Sequence, residues 1–174
     1  SLRRQRQMCI RDRAWSALRD GSRDYLQPWE PSWPEDDLTK AAFRRRLSIY
    51  AREMELGHAW PFFVLVDGGK TLAGAVTLSN VRRGVAETGT LGYWIGQPYS
   101  GRGVATAAVR AVVGYAFDAL KLHRLEAACL PTNHGSRRVL EKSGFRNEGR
   151  ARAYLKINGA WADHLLFGLV EDER

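Results

Sequence analysis

The sequence predicts an α/β fold in a single domain, a mixed sheet with flanking helices. Three observations carry this. Apolar residues recur at helical spacing in some stretches and at strand spacing in others, so the period switches between 3.6 and 2 along the chain. The 174 residues are enough for one core and leave little room for two. Finally, a strand-like run ending at Ile95 breaks at a glycine-rich bend that opens at once into an apolar helix.

The elements follow in order. Arg13 to Arg23 reads as a short helix with Trp15 and Leu18 on one side. YLQPWEPSWPEDD (Tyr25 to Asp37), with three prolines and two tryptophans, reads as irregular. Glu35, Asp36 and Asp37 suit the first turn of a second helix, where carboxylates oppose the positive dipole end; Phe43, Leu47, Tyr50 and Met54 give that helix its stripe to about Leu56. Phe62 to Val66, a DGGK turn and Thr71 to Val81 predict a β-hairpin, and a third strand spans about Glu87 to Ile95. Val104, Ala108, Val112, Ala116 and Leu120 mark a helix, and His123 to Leu130 a buried strand. Asn133 is an N-cap and Gly144 a C′ residue, bracketing one more helix. Ala153 to Val170 closes as a hairpin around Asn158-Gly159, a type I′ signature.

Composition narrows the function classes. At 44% hydrophobic and 26% charged the chain is ordinary for a globular protein, and no apolar run approaches the roughly 20 residues of a membrane span. Cys9 and Cys129 are far apart and form no metal or redox motif, so no metal site is expected and a reducing cytoplasm is the default location. The net charge of +8 is uneven: residues 1–13 hold five arginines and one aspartate. That basic leader, with no apolar periodicity to dock it, is read as a disordered or non-native tail preceding a domain over 14–174. The modest positive balance of the remainder suits a polyanionic ligand as well as RNA.

The bend carries the first chemistry. Gly101 and Gly103 leave the amides of Gly101 to Ala105 free of Cβ crowding at a helix N-terminus, an anion cradle to which Arg102 adds a full charge. No GK[ST] follows, so this is not a P-loop, and Thr106 stands where a dinucleotide fingerprint has its third glycine. Alone, the pattern fits a structural turn as well as a phosphate site.

A second stretch resolves that ambiguity. GYWIGQPYSGRGVATAAV together with NHGSRRVLEKSGF resembles the acetyl-CoA-dependent N-acetyltransferases of the GNAT superfamily; YLQPWEP near the start and YLKINGAWADH near the end resemble its ribosomal-protein-alanine N-acetyltransferase (RimJ) type. The resemblance covers about residues 14–170 and implies the GNAT (acyl-CoA N-acyltransferase) fold, a mixed, mostly antiparallel sheet whose central strand pair is splayed. It implies acetyl-CoA in the gap: backbone of Trp94 and Ile95 along the pantetheine arm, amides of Gly101, Arg102, Gly103, Val104 and Ala105 with Thr106 on the pyrophosphate, and Asn133 on the arm from the other side. A family-typical first strand would have to fall within the leader. Two departures stand out: Pro98 occupies the place where Arg or Gln is usual, with Gln97 one place early, and Thr90 stands where many relatives carry a carboxylate.

Acetyl transfer needs a neutral amine, a polarised carbonyl and a proton for the departing thiolate. An α-amine of pKa roughly 8 is about a tenth neutral at pH 7, whereas a lysine near 10.4 is neutral only about 0.04% of the time, so an N-terminal acceptor asks little of a base. Glu87 and Glu126 are the candidate bases; either is equally an exposed strand-edge charge. The family position makes Ser136 the donor to the thiolate, against a plain first-turn serine, with Tyr154 as runner-up against a half-buried strand aromatic. Trp29 and Glu30, in the proline-rich loop, border the acceptor in this reading; packing alone also accounts for Trp29. Trp161, Asp163 and His164 read as strand packing, His58 and His123 as structural, and Cys129 as core. The expectation is a cytoplasmic enzyme, a monomer or homodimer, acetylating the N-terminal amine of a protein, with ribosome association as a partner. The alternatives are a small-molecule amine as acceptor, or a non-catalytic acyl-CoA-binding or RNA-associated module.

Overall fold

A computed structural model describes the backbone of residues 2–173 and the side chains of residues 12–173. The Cys9 thiol and the leader arginines up to Arg11, expected above as a basic tail, lie outside the described side chains. The described elements are α1 (Leu2–Gly21), α2 (Arg23–Leu26), α3 (Lys40–Glu55), β1 (Trp60–Val66), β2 (Thr71–Arg82), β3 (Thr88–Ile95), α4 (Val104–Asp118), β4 (Arg124–Cys129), α5 (His134–Lys142), β5 (Arg146–Ile157) and β6 (Ala160–Val170).

The sheet has the order β1-β2-β3-β4-β6-β5. Its ladders are antiparallel except for β3 and β4, which run parallel. A parallel pair needs a crossover, and α4 supplies it. Helices cover both faces. Consecutive residues of β1 show this: the Phe62 ring meets Tyr115 of α4 edge-on at 5.3 Å, while Phe63 stacks on Phe43 of α3 at 6.3 Å. The larger core lies under α4 and α5, where Val109, Val113 and Phe117 pack with Leu78, Leu125 and Phe167. It forms because the apolar stripe of α4 recurs every turn and meets the inward half of each alternating strand.

Several boundaries differ from the sequence reading. The first helix begins at Leu2 rather than Arg13, and the segment from Tyr25 is not wholly irregular, since α2 runs to Leu26 and a 3₁₀ turn covers Gln27–Trp29. Proline is tolerated there because it sits in the first turn, where its missing N–H costs nothing. Glu35 to Asp37 do not open the next helix. Thr39 caps α3 by accepting from Ala42 N at 3.1 Å, and Asp36 and Asp37 reach forward from the preceding turn to Arg45 and Arg46. The last hairpin starts at Arg146, seven residues before the expected Ala153, because a bulge between Ala151 and Leu155 hides its alternation. Both outer edges are blunted, β1 by Pro61 and β5 by that bulge and a row of cations.

Leu125 is fully buried on β4, so Leu125→Ala is expected to lower the unfolding free energy by about 3 kcal/mol in urea denaturation. Leu155→Ala, at a residue 44% exposed, is expected to change it by less than about 0.5 kcal/mol.

Candidate functional site

The site begins where β3 and β4 separate. They pair over three positions, Thr88↔Arg124, Gly89↔Leu125 and Thr90↔Glu126. Beyond these, β3 stays paired to β2 through Ile95, and β4 stays paired to β6 through Cys129. The facing edges, 91–95 and 127–129, therefore carry backbone groups with no strand between them. Buried amides and carbonyls demand partners, so such a gap could hold an extended ligand bearing amides of its own.

Below the gap lies the glycine bend. Gly101 and Gly103 adopt φ of 71° and 78°, the left-handed region that favours glycine. Gly103 is the N-cap of α4 and has no side chain to cap with; Ala107 N is the donor that closes on its carbonyl, at 3.0 Å. The amides ahead of Ala107 are the unpaired ones of a helix start. A Cβ built at either glycine meets no heavy atom within 4 Å, so the space beside both glycines is open. The bend is pinned from the other side of the chain: Ser22 Oγ accepts from Gln97 N at 2.9 Å, and the Tyr25 and Ser100 hydroxyls meet at 2.7 Å. The fit to a diphosphate is thus one of geometry and of field, with exposed Arg102 between the glycines.

Ser136 stands in the first turn of α5. Asn133 Oδ1 accepts from its N–H at 3.0 Å, the cap the sequence predicts, and this leaves the Asn133 amide nitrogen available. The Ser136 hydroxyl meets the Tyr93 hydroxyl at 2.8 Å, and Tyr93 also reaches the Ser136 carbonyl at 3.2 Å. Burial pushes the Tyr93 phenol well above its ordinary range, against the opposing hydrogen bond to Ser136. Burial likewise pushes up the Cys129 thiol, again opposed by a hydrogen bond with Ser136. Tyr93 is a residue the sequence reading missed: nothing in GYW tells which face its ring takes until the strand register is known.

On the opposite face of the sheet, α1, α3 and the loop 30–37 enclose a cavity of about 630 Å³ whose walls include Trp15, Trp33, Phe43, Tyr50, Met54 and Trp94. Arg19 crosses it, 6% exposed, bound to Glu30 through two nitrogens at 2.6 and 3.2 Å. Its guanidinium lies 4.2 Å from the Trp33 ring centroid, 4.9 Å from Trp94 and 5.3 Å from Trp15. Glu30 also accepts from Trp33 Nε1 at 2.7 Å. Asp37 Oδ1 takes Arg46 at 2.6 Å, while Asp37 Oδ2 and Arg19 Nε sit 3.8 Å apart without a hydrogen bond. Two carboxylates thus face two guanidiniums. Of the predicted acceptor contacts, Glu30 lines the cavity but is already bound by Arg19, and Trp29 does not line it; Trp33 takes that place. An arginine four residues after Trp15 on one helix was the available signal for the stack.

The remaining candidates are dispersed. Glu87 sits at the far end of β3 from the gap, at φ 38°, with its carboxylate on Arg83 at 3.1 Å and on Gly84 N at 2.9 Å; its carbonyl accepts from His123 and Arg124. Glu126 is in the last pair before the strands part and is held by Arg124 at 3.2 Å and Arg82 at 3.6 Å. Tyr154 is 47% exposed on β5 and packs 5.8 Å from the His164 ring. Asp163 ties the bulge: the Ala153 N–H, then Arg150, hold its carboxyl below the usual carboxylate range. Among the described residues no group of three His, Cys, Asp or Glu is placed to hold a metal, and no helix is long and apolar enough to cross a membrane.

Known proteins share this fold. A family model described as an acetyltransferase (GNAT) domain matches residues 6–146. The chain is 38% identical over 156 residues to the Bacillus subtilis protein named probable N-acetyltransferase YjcK, covering 90% of this chain and 86% of that one. It is 34% identical over 149 residues to the [ribosomal protein uS5]-alanine N-acetyltransferase of Escherichia coli, covering 86% of this chain and 77% of that one. Among solved structures it is similar to Mycobacterium smegmatis RimJ in complex with CoA-disulfide, with a TM-score of 0.89, 36% identity, and coverage of 93% of this chain and 78% of that one.

Because Arg19 is the buried partner of one carboxylate and neighbour of a second, Arg19→Met is expected to cost about 3 kcal/mol in chemical denaturation. Arg23→Met, at an exposed pair with Asp20, should cost less than about 0.5 kcal/mol.

Proposed function

The chain belongs to the GNAT acetyltransferase family, and on that premise we propose that it acetylates the N-terminal α-amine of a protein, a ribosomal protein being the preferred acceptor, in the cytoplasm. The family and its named relatives are acetyltransferases, so the reading as a non-catalytic binding module is set aside. The observation that carries the choice of acceptor is the charge balance of the cavity. Glu30 and Asp37 are engaged by Arg19 and Arg46, so no free carboxylate array is left to hold a polyamine, while the aromatic walls suit the side chains of a short peptide. The relative from Escherichia coli is named for a ribosomal-protein alanine, which supports the same choice.

Acetyl-CoA supplies an acyl thioester: the amine nitrogen bonds the carbonyl carbon, the carbon–sulfur bond breaks, and the amine proton passes to sulfur or solvent, leaving an amide and a thiol. The residues on hand fit that group. The bare edges of β3 at Trp94 and Ile95 and of β4 would pair with its amide-bearing arm, the row from Gly101 to Thr106 with its diphosphate, and the free amide of Asn133 with its arm. Ser136 is the donor to the departing sulfur. With Glu87 tied to the far turn, and Glu126 held by two arginines, no carboxylate in this chain needs to act as base on an amine that is partly neutral at pH 7.

The test is release of CoA thiol with peptides starting in Ala, Ser or Thr beside spermidine and small amines. Turnover is expected on peptides, with kcat/KM rising with pH to a plateau above about pH 8 as the α-amine loses its proton. Turnover on small amines alone would reassign the acceptor while leaving the cofactor site standing. Separately, Gly103→Val puts side-chain atoms into the open cradle at a strained φ; acetyl-CoA affinity is expected to fall about tenfold or more by calorimetry, with about 1–2 kcal/mol lost in stability.

A further inference from the structure

The hydroxyl assigned above to the leaving sulfur is not alone. Ser136, on α5, is approached by one residue from each of the two parting strands, Tyr93 of β3 and Cys129 of β4. We propose that Tyr93 is a positioning residue that donates its phenolic hydrogen to Ser136 Oγ and so turns the serine hydrogen toward the sulfur that leaves. This rests on the reading of Ser136 as the thiolate donor.

The geometry leaves few alternatives for the hydrogens. A phenol has one hydrogen, and a serine hydroxyl has one hydrogen with two acceptor sites. The 2.8 Å contact between the two oxygens must be donated by one of them. If serine donated, its hydrogen would be spent on Tyr93, and the phenol would turn to the Ser136 carbonyl at 3.2 Å. If the phenol donates at the shorter distance, the serine hydrogen is released from Tyr93 and left for a sulfur, the Cys129 thiol at rest or the departing thiolate in turnover, and a hydroxyl that accepts one hydrogen bond donates a stronger one. A negative charge developing on sulfur favours the second arrangement. The buried phenol stays protonated throughout the working pH range, so it is a fixed donor and not an acid. The net proton still comes from the amine. The charged groups that act on this corner, Arg137 and Glu141, move the Cys129 thiol in opposite directions, Arg137 down and Glu141 up.

Coenzyme A itself is the probe, so no acceptor is needed. The thiol of bound coenzyme is titrated by thiolate absorbance, taken as the difference between loaded and empty enzyme. In the wild-type chain its pKa is expected below that of a free thiol, roughly 8.5. Ser136→Ala should raise it by about 1 unit, the loss of one charge-assisted hydrogen bond. Tyr93→Phe keeps the ring and should raise it by a smaller amount in the same direction, with coenzyme affinity unchanged; in turnover, kcat should fall roughly 3- to 10-fold at constant KM for acetyl-CoA. In the Ser136→Ala background, Tyr93→Phe should shift the thiol no further. A Tyr93→Phe enzyme whose bound thiol titrates like wild type, or a shift that persists undiminished without the serine, would overturn the proposal. A bound thiol unmoved by Ser136→Ala would instead bring down the serine assignment, and this one with it.

Discussion

β3 and β4 run side by side, parallel, for three residue pairs and then separate, each still held on its outer side by an antiparallel neighbour. An open sheet rarely leaves backbone donors and acceptors bare at its centre, because each such group costs about 1–3 kcal/mol when shut away from water. The gap survives here because β2 and β6 fix the strands on either side, and because Phe117 of α4, Leu140 of α5 and Phe145 just before β5 fill the space beneath. What the sheet gives up in internal pairing is left as two facing strand edges, 91–95 and 127–129. The glycine bend and the start of α5 are each the next segment after one of the parted strands, so both are delivered to the gap by connectivity alone.

The second constraint is electrostatic. Arg19 is buried among three tryptophans and two carboxylates, an arrangement that would be costly for an ammonium and suits a flat, weakly hydrated guanidinium. It closes the loop 30–37 onto α1, and the Asn158 N–H reaches the Glu30 carbonyl at 2.8 Å, so the last hairpin is tied to the same loop. Three segments far apart in sequence thereby form one wall. The Arg19 chamber and the Ser136 corner thus lie on opposite faces of the sheet, with the opening between β3 and β4 between them.

Much of this was legible in the residues themselves. The period of α4, the Asn133 cap, the Gly144 stop and the Asn158-Gly159 turn are local signals, decided by backbone preferences within a few positions, and each was found where it was expected. The glycine bend was legible for the same reason. What local signals missed depends on register or on distant partners. Glu35 to Asp37 look like a helix start, yet Asp36 and Asp37 pair with arginines nine residues on, and Thr39 wins the cap. β5 escaped notice up to Ala153 because its bulge breaks the alternation and because an edge strand exposed on both faces has no apolar period to show. The sequence places Glu30 beside the acceptor but does not show its ion pair, since the arginine that takes it lies eleven residues back on another element. Tyr93 and Ser136, 43 residues apart, meet only once the parallel crossover is in place.

The stack around Arg19 has an optical consequence. The chain has six tryptophans, and three of them, Trp15, Trp33 and Trp94, crowd one guanidinium on the wall of a single chamber. The indoles on that wall are the ones whose surroundings change when a guest enters or a charge moves there, whereas the glycine bend from Ser100 to Ala105 carries none. Ultraviolet emission from the unlabelled protein is therefore weighted toward this chamber, and Trp94, on the β3 edge beside the gap, links its signal to the parted strands.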